Sequence, residues 1–123
     1  MTTLTEGKHT GGFLIWEILR DYTRETVTLA SGAGKLAPGT VLGRITTGGK
    51  YTVLTHGASN GSQNAAGILW GDADATDADA PTVVLVRGPA IVNRHEIIWP
   101  EALSEAQITA TTTALAALGI ILR

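Results

Sequence analysis

Ser104-Glu-Ala-Gln-Ile-Thr-Ala-Thr-Thr-Thr-Ala-Leu-Ala-Ala-Leu-Gly-Ile-Ile-Leu122 decides the fold class. Ser104 can cap a helix, and Gln107 three residues on completes a Ser-x-x-Gln capping box. Ile108, Thr111, Leu115 and Leu118 recur at spacings of three and four, which places them on one helical face. Ala106, Ala110, Ala114, Ala116 and Ala117 favour helix, while Thr111 to Thr113 oppose it modestly. Gly119 is well placed to end the helix at C′, leaving Ile120-Ile-Leu122 free to join a sheet. The stretch predicts one late α-helix, about 104–118, with a short strand behind it.

Upstream the periodicity changes to that of strands. Glu25-Thr-Val-Thr-Leu-Ala30 alternates and is rich in β-branched residues. Ser31-Gly-Ala-Gly34 and Leu36-Ala-Pro-Gly39 are turns, with Pro38-Gly39 suited to the centre of a type II turn. Strands are predicted over 40–46 and 50–55, joined by a hairpin turn at Gly48-Gly49. Further strands are predicted over 65–70 and 82–87, with an aspartate-rich loop over 71–80 between them. Gly88-Pro89 breaks the chain, and 90–98 reads as two short strands. Glu17 to Arg24 fits either a short helix or an irregular extension. Residues 1–12 are polar, Thr- and Gly-rich and without period, which reads as a flexible arm. The fold class is therefore α+β and β-dominated: short strands in a small sheet or barrel-like domain, one late helix and an N-terminal arm.

Size and composition narrow the function. The 123 residues suit one domain, and no cysteine is present, so disulfides, thiolate metal sites and thiol catalysis are excluded. Met1 to Gly12 lacks the apolar core of a signal peptide, and apolar runs such as 80–86 are too short to span a bilayer. The net charge of −2 is unevenly spread. Residues 26–71 carry Lys35, Arg44 and Lys50 and no acid, while Asp72, Asp74, Asp77 and Asp79 follow within eight positions. No strong basic field for nucleic acid exists. Neither nucleic acid nor membrane is an expected partner.

Three fragments approach chemical motifs and miss. His95-Glu96-Ile-Ile-Trp99 starts like His-Glu-x-x-His, but Trp99 replaces the second imidazole and Pro100 disfavours the helix that the motif needs. An edge-strand histidine is the plainer reading of His95. Gly49-Lys50 would need a glycine at position 44 to form a phosphate loop, and that position is Arg44. The aspartates lack the glycine and glutamate of an EF-hand: counting from Asp72, the sixth place is Asp77 and the twelfth Val83. A Ser-His-Asp arrangement is recognised by geometry, and this sequence singles none out. No catalytic, cofactor-binding or metal-binding residue is assigned, no cofactor is expected and the chain is not read as an enzyme.

Two features call for burial beyond an ordinary monomer surface. Phe13-Leu-Ile-Trp16 sets four apolar residues beside a polar arm, to be covered by the domain's own core or by a partner. The scarcity of charge in 26–71 suits either a subunit interface or a plain Gly- and Thr-rich sheet.

Glu96-Ile-Ile-Trp-Pro-Glu-Ala-Leu-Ser-Glu105, leading into a Thr/Ala-rich helix and an Ile-rich end, resembles the head decoration protein family of lambda-like phages. Tyr22-Thr-Arg-Glu-Thr-Val-Thr-Leu-Ala-Ser-Gly32 with Leu36-Ala-Pro-Gly-Thr-Val-Leu-Gly43, and Ala65-Ala-Gly-Ile-Leu69, are similar to further segments of that family in the same order. The resemblance covers about 20 to 123; Phe13 to Leu19 departs from it in being more hydrophobic. It implies a trimer on three-fold positions outside an expanded head, holding the major capsid protein against the pressure of packaged DNA. By the same resemblance the chain is a virion protein made in the host cytoplasm. It would divide into a capsid-contacting arm, 1–20, and a decoration domain, 21–123. Candidate contacts in the arm are Thr2, Thr3, Leu4, Thr5, Phe13, Leu14, Ile15 and Trp16; Trp99, Pro100 and Glu101 are structural motif residues. The alternatives are a small β-barrel that binds a ligand or sugar, and another virion component such as a fibre or tail module.

Overall fold

A computed structural model describes residues 11–99 and 103–123. In chain order the elements are β1 (Leu14–Glu17), α1 (Arg20–Thr23), β2 (Arg24–Leu29), β3 (Gly34–Leu36), β4 (Val41–Arg44), β5 (Tyr51–Val53), β6 (Ala65–Leu69), β7 (Ala73–Ala75), β8 (Ala80–Leu85), β9 (Ala90–Val92), α2 (Glu105–Ala117) and β10 (Ile120–Leu122). Five strands close a barrel in the order β2-β5-β4-β6-β8. Its longest seam joins β2 and β8, antiparallel from Arg24↔Leu85 to Leu29↔Ala80. The closing contact of β2 with β5 is parallel, at Leu29↔Tyr51. A three-stranded sheet, β1-β9-β10, and a two-stranded sheet, β3-β7, are added outside.

Strands β4, β6 and β8 are apolar on consecutive residues because both of their faces are covered there. Leu29, Leu42, Tyr51, Leu69 and Val84, one from each barrel strand, pack together in one core. Their neighbours Val41, Ile68 and Leu85 point the other way, into a second core with Phe13, Ala90, Val92, Leu115 and Ile120. That second core lies under the three-stranded sheet and α2. Successive side chains of a strand point to opposite faces, so a pair such as Val41-Leu42 serves both cores.

Helix α2 forms as the sequence reading expects. Ser104 Oγ accepts from the Gln107 N–H at 3.2 Å, and Gln107 Oε1 accepts from the Ser104 N–H at 3.0 Å. Thr111 and Leu115 are buried, and Ile108 and Leu118 are half-buried. Thr111 keeps its hydroxyl satisfied by donating to the Gln107 carbonyl at 2.8 Å. Gly119 ends the helix with φ +90° and lets β10 run parallel to β9. There it passes so close to Gly88 that a Cβ on Gly88 would overlap the Gly119 carbonyl.

Two local expectations are corrected. The aspartate-rich stretch contains a strand, β7, because Ala73 and Ala75 face inward while the backbone pairs with β3. His95 lies in a 3-10 turn, Arg94–Glu96, rather than on a strand. Asn93 caps that turn by accepting the His95 N–H at 3.0 Å, which ends β9 early. The rest of the second strand foreseen over 90–98 survives as a parallel bridge from Ile98 to Thr40.

Candidate interaction surface

The first described residues are held at a clasp built on Trp70. Gly11 donates its N–H to the Trp70 carbonyl at 2.8 Å. Its φ is +64°, and a Cβ there would fall inside the indole ring, so the position takes glycine on both counts. Phe13 meets the same indole edge-on, with centroids 5.6 Å apart. The Arg24 guanidinium stacks on the ring at 3.5 Å. Arg24 is ion-paired with Glu17, whose carboxylate also accepts from the Thr23 hydroxyl at 2.6 Å. Charge, cation–π contact and apolar packing thereby fasten residues 11–24 against the barrel.

Past the clasp, Phe13 and β1 turn their apolar residues two ways. Phe13 is 2% exposed, in the second core, and Leu14 packs against it. Between Leu14 and Trp16 the register with β9 shifts, so Ile15 is an extra residue with no partner of its own on β9. Trp16 pairs with Ile91, and Ile91 with Ile121 of β10. Since Ala90, Val92 and Ile120 face the core, this row lies on the outer face of the sheet. Trp16 is 49% exposed, Ile15 57%, Ile18 55%, Leu19 57%, Tyr22 51% and Ile121 37%. Among the described residues these are the large hydrophobic side chains left in solvent, and five of the six fall within 15–22. An apolar surface so concentrated is the candidate interaction surface of the described residues.

Of the candidate contacts, Thr2, Thr3, Leu4 and Thr5 lie outside the described residues, as do Pro100 and Glu101. Phe13, Leu14, Ile15 and Trp16 are split between the core and the exposed face. Trp99 is half-buried and packed against the second core, beside Ile108 and Leu122. Ile18, Leu19, Tyr22 and Ile121 were not singled out from the sequence. For Ile18 and Leu19 the signal was there in the hydrophobicity of Phe13 to Leu19. For Ile121 it was not, because three consecutive apolar residues do not say which side of a sheet is outermost.

Chemistry is sparse. Among the described residues no three His, Asp or Glu side chains gather as metal ligands. The inside of the barrel is filled by its own side chains, with Leu29, Leu42, Leu69 and Val84 all fully buried. Among the described residues no helix is long and apolar enough to cross a membrane.

A small barrel with a filled interior and an exposed apolar face belongs to the class of structural binding modules. The family model of bacteriophage lambda head decoration protein D matches residues 3–120 of the chain, and the protein belongs to that family. No individual curated protein matches the sequence. The family is structural rather than catalytic, and membership implies association with the capsid of a virion.

Proposed function

We propose that this protein sits on the outside of an expanded phage head as a trimer at three-fold positions and cements neighbouring copies of the major capsid protein against the pressure of packaged DNA. It performs no catalysis and uses no cofactor. Residues 1–20 are the capsid-contacting segment, and 21–123 the body of the decoration domain. Within that segment Ile15 and Trp16 supply the apolar contact, Thr2, Thr3, Leu4 and Thr5 extend it along the shell, and Phe13 and Leu14 hold it to the barrel.

The observation that carries this reading is the exposure of Ile15, Trp16, Ile18, Leu19 and Tyr22 within one short stretch near the start of the described residues. Ordering a polar segment costs about 1–2 kcal/mol per residue, which Thr2 to Gly12 by themselves do little to offset. Adjacent apolar residues that bury on the shell supply the missing term, and buried aromatics commonly dominate such contacts. Three linked copies then raise avidity through effective concentration.

The test mixes purified protein with undecorated expanded heads. Trp16→Ala is expected to melt like wild type, because Trp16 is exposed, yet to bind heads about tenfold more weakly or worse. Removal of residues 1–9 is expected to weaken binding with the melting temperature unchanged. Unchanged affinity in both variants would refute the assignment of this surface.

A further inference from the structure

A cleft of about 730 Å³ opens beside the β4–β5 hairpin, and Arg44, Lys50 and Arg87 line it with one acid, Glu25. Two of the cations are engaged within the chain: Lys50 Nζ lies 2.5 Å from Asp79, and Arg87 2.9 Å from Glu25. Arg44 is exposed, and among the described residues no carboxylate pairs with it. Its Nε reaches the Gly49 carbonyl at 3.5 Å, the outer limit of a hydrogen bond.

Opposite in sign, Asp72, Asp74 and Asp77 are exposed on and around β7. The Asp74 carboxylate is turned onto the Thr76 N–H and hydroxyl, at 3.1 and 2.7 Å. Asp72 and Asp77 have no cation within ion-pair distance among the described residues. One chain therefore presents an unpaired cation in a cleft and unpaired carboxylates at Asp72 and Asp77 on either side of β7, beyond Asp79, which already holds Lys50 at the cleft. Between two copies placed head to tail the two surfaces neutralise each other, and such a contact closes a ring when the rotation suits.

We infer that the Arg44 cleft receives the acidic edge around β7, Asp72 to Asp77, of a second copy of this chain, so that three copies close a head-to-tail ring. This rests on the self-association in the function proposed above and names its surface. Electrostatic complementarity of this kind sets register and partner choice.

Charge reversal tests it in solution, read by light scattering after gel filtration at low ionic strength. Arg44→Glu alone, and Asp72→Lys with Asp77→Lys, are each expected to weaken association about tenfold or more per contact. The three changes combined in one chain should restore it. All these positions are exposed, so the melting temperatures should match wild type. A trimer that survives Arg44→Glu, or a combined variant no better than its parents, overturns the inference. If Arg44→Glu stays trimeric and fails only on heads, the cleft takes an acidic segment of the shell, which overturns it equally.

The absence of cysteine allows a second readout on decorated heads. Arg44→Cys with Asp77→Cys in one chain should give a closed covalent trimer under oxidation, whereas each single variant should stay uncrosslinked. Single variants that crosslink to themselves, or a double variant that stays monomeric on the shell, sink the proposal. The decoration reading fails separately, through heads that bind no wild-type protein while the rings in solution still answer to the charge swap.

Discussion

Leu115 is fully buried where α2 meets the second core, whereas Thr113, two positions away, is exposed and spends its hydroxyl on the Thr109 carbonyl. Leu115→Ala should therefore cost about 2–5 kcal/mol of stability and Thr113→Ala less than about 0.5. Chemical denaturation checks this, and equal effects would mean that the helix face is wrongly oriented. At Asp79 the Lys50 ammonium, and then the Ser31 N–H at 2.8 Å, hold the carboxyl below the usual carboxylate range. A group whose folded pKa is depressed stabilises the protein above its unfolded pKa, about 3.9 for aspartate, and loses that contribution as pH falls through the folded value. Asp74 is lowered by the Thr76 hydroxyl and N–H in the same sense. Asp79→Asn is predicted to flatten the loss of stability below about pH 4, measured as melting temperature against pH. An acid limb identical to wild type would show that the Lys50 contact is too exposed to matter.

At the scale of elements, α2 and β1 are secured by different means. The helix is locally determined: its reciprocal capping box satisfies N–H groups that would otherwise lack partners. Ser104→Ala is expected to destabilise the protein by about 0.5–2 kcal/mol, seen as a lower denaturation midpoint with an unchanged slope. Strand β1 depends on distant partners. Phe13, just before it, meets Trp70, and its Glu17 is held by Thr23 and Arg24 from the next elements. Because the clasp fixes β1, the outward side chains Ile15 and Trp16 are presented at a set angle on the sheet.

The whole molecule has two cores that share walls. Val41 and Leu42, Ile68 and Leu69, and Val84 and Leu85 are chain neighbours that serve opposite cores. Neither core can loosen without moving strands of the other, so unfolding should be a single cooperative transition. Fluorescence of the three tryptophans and far-UV circular dichroism should report the same midpoint. Two separated transitions would mean that the three-stranded sheet and α2 come off the barrel as an independent unit.

Short-range physics made much of this protein legible before its structure. The late helix, its cap, the Gly119 stop and most strands depend on residues within a few positions of one another, and they appear where the sequence places them. The family resemblance was likewise readable, and the family match bears it out. Strand β7 was hidden because Asp72-Ala-Asp-Ala75 alternates acid with alanine, too weakly apolar to announce an inward face, and only pairing with β3 gives it one. The closing of the barrel by a parallel β2–β5 contact could not be read from alternation, which is blind to which strands become neighbours. The division of Phe13-Leu-Ile-Trp16 was decided by tertiary structure alone. All four are apolar and adjacent, and what sends Phe13 inward and Trp16 outward is a bulge against β9 and an indole at position 70. Burial is set by neighbours brought from far along the chain, so a local pattern can mark such a segment as one that needs a partner without saying which of its residues are left to meet it.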